Sequence, residues 1–301
     1  MAKDSDKDAK RRKEQLAKLA TALQSQPDPQ TYLADLRLAI TLADQADQIT
    51  LARFMADDLD VHGKDDDTPV TDADRDTETL LRSQLGRTRP EDTVLGEEFG
   101  PVGPKELIKL ALAERRVWVL DPIDGTANYV RGVPVWATLI GLVAAGRPAV
   151  GVVSAPALGL RWFAAAGYGA WKGAGLEDAT PIKVSKVKKL GDAFLSYSDT
   201  AGWEEQGRVA GLLRLAEDVQ RSRAFGDFWS YMLLAEGALD IATEPELAPH
   251  DMVALAAIVT EAGGTLTDTR GKVTGPFGAD ALATNGRLHH RVLPYLHPKK
   301  G

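Results

Sequence analysis

Apolar positions follow a helical period at the start of the chain and a strand-like one later. Between Thr31 and Leu59, the residues Leu33, Leu36, Ile40 and Ala43 recur at i, i+3 and i+4 spacing without an intervening Gly or Pro. That pattern predicts a helix, with His62-Gly63-Lys64 as its end and Lys64-Asp65-Asp66-Asp67 as a charged loop. A second helix is expected after Pro69-Val70-Thr71, ending near Gly86, with Thr71 and Asp74 at capping-box spacing. Short apolar runs follow. Thr93-Val94-Leu95 ends at Gly96-Glu97-Glu98, and Val117–Leu120 ends at Asp121. A loop from Pro101 to Pro104 and a short helical segment separate these two strands.

After Tyr129 the pattern becomes a meander. Ala137–Ala144, Ala149–Val153 and Leu160–Ala165 are apolar runs, separated by Ala145-Gly146-Arg147-Pro148 and by Pro156–Gly159. Even spacing of runs and turns predicts a sheet built from hairpins rather than βαβ units. The remainder alternates: a strand at Ala193–Tyr197, helices at Glu204–Gln220 and Phe228–Glu236, and a strand at Leu239–Ala242. A capped helix at Asp251–Ala262 and a strand at Thr265–Thr267 complete the pattern. No internal repeat is visible. Residues 1–28 read as a separate, mixed-charge tail with a weak apolar patch at Leu16, Leu19 and Leu23, leaving 29–301 as one domain.

Composition narrows the function classes. The chain has 301 residues, 44% hydrophobic and 26% charged, enough for a large soluble core. A net charge of −7 argues against general binding to nucleic acid or an anionic membrane. The absence of cysteine rules out disulfides, thiolate metal sites and Cys nucleophiles. The charged opening MAKDSDKDAKRRKEQ is no secretory leader, and no run reaches membrane-spanning length, so a cytoplasmic protein is expected.

The acids carry the candidate chemistry. Asp74, Glu97-Glu98, Asp121 with Asp124, and Asp251 all lie at the ends of regular elements, where a fold can converge them. Capping accounts for each one singly. Together, they cannot all stay ionised without cations. Hard oxygen donors suit Mg²⁺, Mn²⁺ or Ca²⁺ rather than Zn²⁺. Paired Mg²⁺ beside a helix start is a setting for phosphate-ester hydrolysis, with Gly125 and Thr126 offering backbone N–H groups to the phosphate.

These residues carry a resemblance. Gly96-Glu97-Glu98, then Asp121-Pro122-Ile123-Asp124-Gly125-Thr126-Ala127-Asn128-Tyr129, then His250-Asp251 through Ala262-Gly263-Gly264 resemble the three signature motifs of the inositol monophosphatase family. The match runs in the right order over about Thr31 to Leu296. The resemblance implies an α/β (α+β) fold, a layered α-β-α-β-α sandwich of the inositol monophosphatase and fructose-bisphosphatase type. It also implies Mg²⁺-dependent phosphate monoester hydrolysis, with two or three ions per site and Mn²⁺ as an alternative, by a homodimer acting on a small phosphorylated metabolite. Carried over by position, Glu97, Asp121 and the Ile123 carbonyl would hold one metal. Asp121, Asp124 and Asp251 would hold a second. Thr126 and Asp74 would orient the attacking water and, with Glu97, form the catalytic group. His250 stands where the family usually has Trp; packing is its expected role, and a direct metal bond is the alternative.

Arg223-Ala224-Phe225-Gly226-Asp227-Phe228-Trp229-Ser230-Tyr231 and Ile241–Leu247 resemble the histidinol-phosphatase branch of that family. The resemblance implies hydrolysis of L-histidinol phosphate to L-histidinol and phosphate, a step of histidine biosynthesis. Asp227 is a candidate substrate-binding acid, since the substrate presents an ammonium and an imidazole. Glu244 is a second, since it stands seven residues before Asp251, where the family places a substrate-contacting acid. An N-cap role ahead of Phe228 is the structural alternative for Asp227. Competing readings are an inositol-1-monophosphatase or broad sugar-phosphate phosphatase and, outside enzymes, a metal-binding regulatory relative. The last would show as loss of an acidic ligand, and none is lost. A nucleotide-bisphosphate substrate is disfavoured, because no adenine-binding stretch is evident.

Overall fold

The computed structural model of the protein describes residues 27–63, 69–100, 103–113, 115–272, 277 and 279–297, with positions 14, 17 and 21. The apolar patch at Leu16, Leu19 and Leu23, the loop 64–67 and Pro101 lie outside the described residues.

Five layers alternate helix and sheet, as the resemblance implied. The outermost helices are α1 (Leu33–Arg53) and α2 (Asp72–Thr88), preceded by a small hairpin of β1 (Val61–Gly63) and β2 (Pro69–Thr71). Their apolar stripes, including Leu36, Ala39, Leu81 and Leu85, cover Trp118, Leu120, Ile140 and Val152 on one face of a seven-stranded sheet. That sheet begins with β3 (Thr93–Gly96) and β4 (Val117–Asp124), which are parallel and joined through α3 (Pro104–Leu112). It continues as the expected antiparallel meander: β5 (Ala137–Ala144), β6 (Arg147–Ala155), β7 (Leu160–Ala165), β8 (Gly169–Lys172) and β9 (Thr180–Pro181). The short α4 (Thr126–Val130) connects β4 to β5.

The second sheet has five strands in the order β11-β10-β12-β14-β13. These are β10 (Phe194–Ser196), β11 (Arg221–Arg223), β12 (Ile241–Glu244), β13 (Thr265–Thr267) and β14 (Ala281–Thr284). Between the two sheets lie α7 (Asp227–Ala235) and α8 (Pro249–Glu261). Helix α8 is buried almost all round, which explains a sequence with no polar stripe, Met252 to Val259. Beyond the second sheet, α6 (Val209–Asp218) and α9 (His289–Leu296) close the stack through Leu212, Leu215, Val292 and Leu296.

Two glycines bring α8 to the site. Gly141 and Gly151 lie opposite each other across β5 and β6. A Cβ at Gly141 would stand 2.6 Å from Val253, and one at Gly151 would overlap the Ala254 backbone. Only bare backbone lets α8 approach this closely and deliver Asp251, in its first turn, to the end of β4.

Several predicted bounds differ. The first helix stops at Arg53, and His62-Gly63 belongs to the hairpin instead of a helix end. The predicted Glu204–Gln220 helix is two helices, α5 (Ala201–Glu205) and α6, because Gly207 turns with φ +66°. The strand expected at Leu239–Ala242 is displaced to Ile241–Glu244, so Glu244 is strand rather than loop. Pro27 lies against Gly167, and the Asp28 side chain accepts the Gln30 N–H.

Candidate active site

Strand β4 carries both central acids within it, not beyond it. All eight of its residues are buried, and its pairing with β5 shifts between Asp121 and Asp124, with Asp121 opposite Leu139 and Asp124 opposite Ala137. Three steps on β4 thus match two on β5, a bulge at Pro122-Ile123, one of the few places a sheet interior tolerates proline. The irregularity breaks the two-residue alternation, so residues three apart face the same side. The neighbouring β3 ends beside it, and the Glu97 N–H donates to the Leu120 carbonyl at 3.2 Å.

The acids converge. Ligand atoms of Asp121, Asp124 and Asp251 lie within 4.8 Å of one another, and so do those of Glu97, Asp121 and His250. Asp121 is common to both groups. One of its oxygens, Oδ1, is buried without a hydrogen-bond partner. Burial drives the Asp121 carboxyl well above its usual range, and the charges of Glu97, Asp124 and Asp251 push the same way. Burial likewise raises Asp124, with Asp227 and Asp251 adding to it. Asp251 is also raised by burial, opposed by the neighbouring His250 and by the Ala248 N–H, which donates to Asp251 Oδ2 at 2.6 Å.

Such a cluster fits a hard cation. Apart from the His250 nitrogen, the donors are carboxylate oxygens, crowded and desolvated, and the orphaned Asp121 oxygen is what a metal would complete. His250 was expected to pack. Its ring is mostly buried, with Nε2 3.5 Å from Asp251 Oδ1, and its nitrogen stands in the group with Glu97 and Asp121. Histidine beside Asp in that motif was visible, but nothing in the sequence fixed its ring direction.

Asp74 fulfils its capping role and has capacity beyond it. Its Oδ2 accepts from the Thr71 N–H at 2.8 Å and the Thr71 hydroxyl at 2.6 Å, while Thr71 Oγ1 accepts the Asp74 N–H. Its Oδ1 is buried with no partner. Burial lifts the Asp74 carboxyl to about 7, helped by Glu97 and Glu98. Ala73 packs with Ile123 and Tyr129, which brings the start of α2 beside the β4–α4 corner. Thr126 donates its hydroxyl proton to the Ile123 carbonyl at 2.8 Å, not to Asp74.

The two candidate substrate-binding acids stand at the start of α7 and at the end of β12. Asp227 opens α7 at φ +48°, a left-handed conformation uncommon outside glycine. Gly226 takes the cap position, its carbonyl accepting the Ser230 N–H at 3.4 Å, and no side-chain cap bond is made there. The Asp227 carboxyl is raised to about 6 by burial and by the Asp251 and Asp199 charges. Glu244 Oε1 is buried without a partner, and burial, Asp227 and Asp251 hold the group well above the usual carboxylate range. Sequence reasoning passed over Tyr231, whose buried hydroxyl also lacks a partner and lies in the field of Glu244, Asp251 and Asp124.

Comparisons with known proteins identify the family. The sequence model of the inositol monophosphatase family matches residues 34–299. A histidinol-phosphatase of Streptomyces coelicolor is 53% identical over 272 residues, covering 89% of this chain and 98% of that protein. A histidinol-phosphatase of Mycobacterium tuberculosis is 52% identical, covering 87% of this chain and 98% of the relative. Among solved structures, an inositol monophosphatase from Zymomonas mobilis superposes with a TM-score of 0.74 at 30% identity, covering 88% of this chain and 98% of that one.

Proposed function

The chain belongs to the inositol monophosphatase family, and on that premise we propose that it is a magnesium-dependent phosphatase of L-histidinol phosphate. The observation that carries the reading is the convergence of Asp121, Asp124 and Asp251, with Asp227 and Glu244 close enough for their charges to act on Asp124. The high identity to two histidinol-phosphatases supports the substrate.

Glu97, Asp121, the Ile123 carbonyl, Asp124 and Asp251 are the groups that would hold Mg²⁺, with Mn²⁺ as an alternative and His250 as a candidate additional donor. When bound, the ions supply charge for the phosphate and lower the pKa of water. The chain's own residues do the rest. Asp74 and Thr126 orient the water, Asp74 through the oxygen its cap leaves open. The first amides of α4, at Gly125 and Thr126, take phosphate oxygens, since a helix start leaves its N–H groups unpaired. Asp227 and Glu244 face the leaving alcohol and receive its ammonium and imidazole. A carboxylate held partly out of water meets such a cation with a charge-assisted hydrogen bond. As elsewhere in the family, a homodimer is the expected assembly.

An inositol-phosphate reading uses the same phosphate-site residues and differs at Asp227, since Glu244 stands where the family places a substrate-contacting acid. Product analysis tests the main reading. With L-histidinol phosphate and Mg²⁺, phosphate and L-histidinol should appear in equal amounts, and chelation should stop both. No release from that substrate would overturn it.

A further inference from the structure

Helix α2 presents a second carboxylate one turn beyond Asp74, and nothing in the proposed chemistry uses it. Glu78 is fully buried in mid-helix, where an unpaired charge would be costly. Its oxygens are all engaged. Oε1 accepts from Arg82 Nε at 2.6 Å and from the Phe99 N–H at 3.1 Å, while Oε2 accepts from the Glu98 N–H at 2.7 Å. Arg82 then reaches across with its two remaining nitrogens, Nη1 to the Val94 carbonyl at 3.1 Å and Nη2 to the Phe99 carbonyl. Asp74, Glu78 and Arg82 fall at i, i+4 and i+8, so one stripe of the helix holds both the acid of the site and this clamp.

The clamp closes on the corner that carries Glu97. Val94 lies before it on β3, and Glu98 and Phe99 lie after it. Gly96 leaves room: a Cβ there would collide with the Glu78 carboxylate. We propose that Glu78, held by Arg82, is a positioning residue that fixes the Gly96–Phe99 corner so that Glu97 faces Asp121. The inference rests on the reading of Glu97 and Asp121 as metal ligands and adds the support that holds one of them in place. Outer partners of metal ligands commonly change metal affinity by 10- to 100-fold when altered.

The test is calorimetric titration of Mg²⁺ into Glu78→Gln, Gly96→Ala, Glu97→Gln and the unaltered chain, with metal-free melting temperatures as a fold check. The Gln amide at 78 would turn an NH₂ toward one of three donors, so metal affinity should fall about 10- to 100-fold. Gly96→Ala should do the same by pushing the carboxylate aside, and it keeps the test open should Glu78→Gln fold poorly. High Mg²⁺ should restore most of kcat in both, but not in Glu97→Gln. If Glu97→Gln weakens binding while Glu78→Gln and Gly96→Ala bind Mg²⁺ normally, whatever their melting temperatures, Glu78 is structural and the inference falls. If Glu97→Gln itself binds normally, the ligand reading fails first.

Discussion

Asp124 Oδ2 accepts the Phe228 N–H at 2.7 Å, a bond that joins the end of β4 to the first turn of α7. An acid of the proposed metal cluster thereby anchors the helix that holds Asp227. The bond also places a carboxylate at a helix start, where the backbone dipole favours it. The candidate metal ligand Asp124 and the helix that begins at the candidate substrate-binding Asp227 are thus joined directly.

Asp227→Asn should therefore separate the two. Asn adopts left-handed backbone angles readily, so the φ of +48° at this position is retained without added strain. The lost charge removes a charge-assisted hydrogen bond of about 2–3 kcal/mol, or roughly 30- to 150-fold in kcat/KM on L-histidinol phosphate. Activity on an uncharged polyol phosphate should stay level or rise. Equal losses on both substrates would reduce Asp227 to a structural residue.

Glu97→Gln, Asp121→Asn, Asp124→Asn and Asp251→Asn should each lower turnover by at least about a thousandfold, because several kcal/mol of transition-state stabilisation disappears. Metal-free melting temperatures should match or exceed that of the unaltered chain. The amide oxygens keep the acceptors for the Phe228 and Ala248 N–H groups, while like-charge repulsion falls. Asp121→Asn should gain most, since that residue is raised by three neighbouring acids as well as burial. Unfolding with activity per folded molecule intact would make these acids caps.

Thr126→Ala and Asp74→Asn should lower kcat by about 10²-fold or more with little change in KM, as expected of groups that orient water. The double variant should cost little more than either single one. Multiplicative losses would show that the two act separately, with Thr126 serving only the Ile123 carbonyl to which it donates.

Among the candidate acids, Glu97, Asp121 and Asp124 were legible because they stand where an apolar run breaks, and Asp251 because it opens an apolar helix. A carboxylate at the end of Val117–Leu120 or at the start of α8 disturbs a pattern that would otherwise be plain. Glu78 is one of many acids in a polar helix, and only the folded corner of Glu98 and Phe99 distinguishes it. Tyr231 looked like core, and its ring is; the hydroxyl's surroundings come from three other elements. The parallel pairing of β10 with β11 and β12 depends on crossovers through α6 and α7 that no local period encodes. The last strand and α9 escaped because Ala281–Thr284 is short and Pro294 sits inside the helix.

Titration of the site sets a pH dependence with a definite sign. Asp74 is raised by burial from 3.8 to about 7 and Asp227 from 3.8 to about 6. The folded, metal-free protein thus binds more protons than the unfolded chain between those values. Its stability from these groups is full below about pH 4 and declines as pH rises through 6 and 7. Mg²⁺ competes with those protons, so its stabilising effect should be greater at pH 8 than at pH 5. At a hundredfold excess over Kd the gain is about 2.7 kcal/mol. Thermal melts with Mg²⁺ or chelator at both pH values measure this, and a larger Mg²⁺ effect at pH 5 would contradict it.

The most direct measurement is the ratio of kcat/KM for L-histidinol phosphate to that for myo-inositol 1-phosphate, with Mg²⁺ in excess. Both esters meet the same phosphate groups, so the ratio isolates what Asp227 and Glu244 do with a cationic leaving alcohol. A partly desolvated charge-assisted contact of about 2–3 kcal/mol predicts a preference of roughly 30- to 150-fold for L-histidinol phosphate. A ratio near one, or one that favours the inositol phosphate, would contradict the assignment.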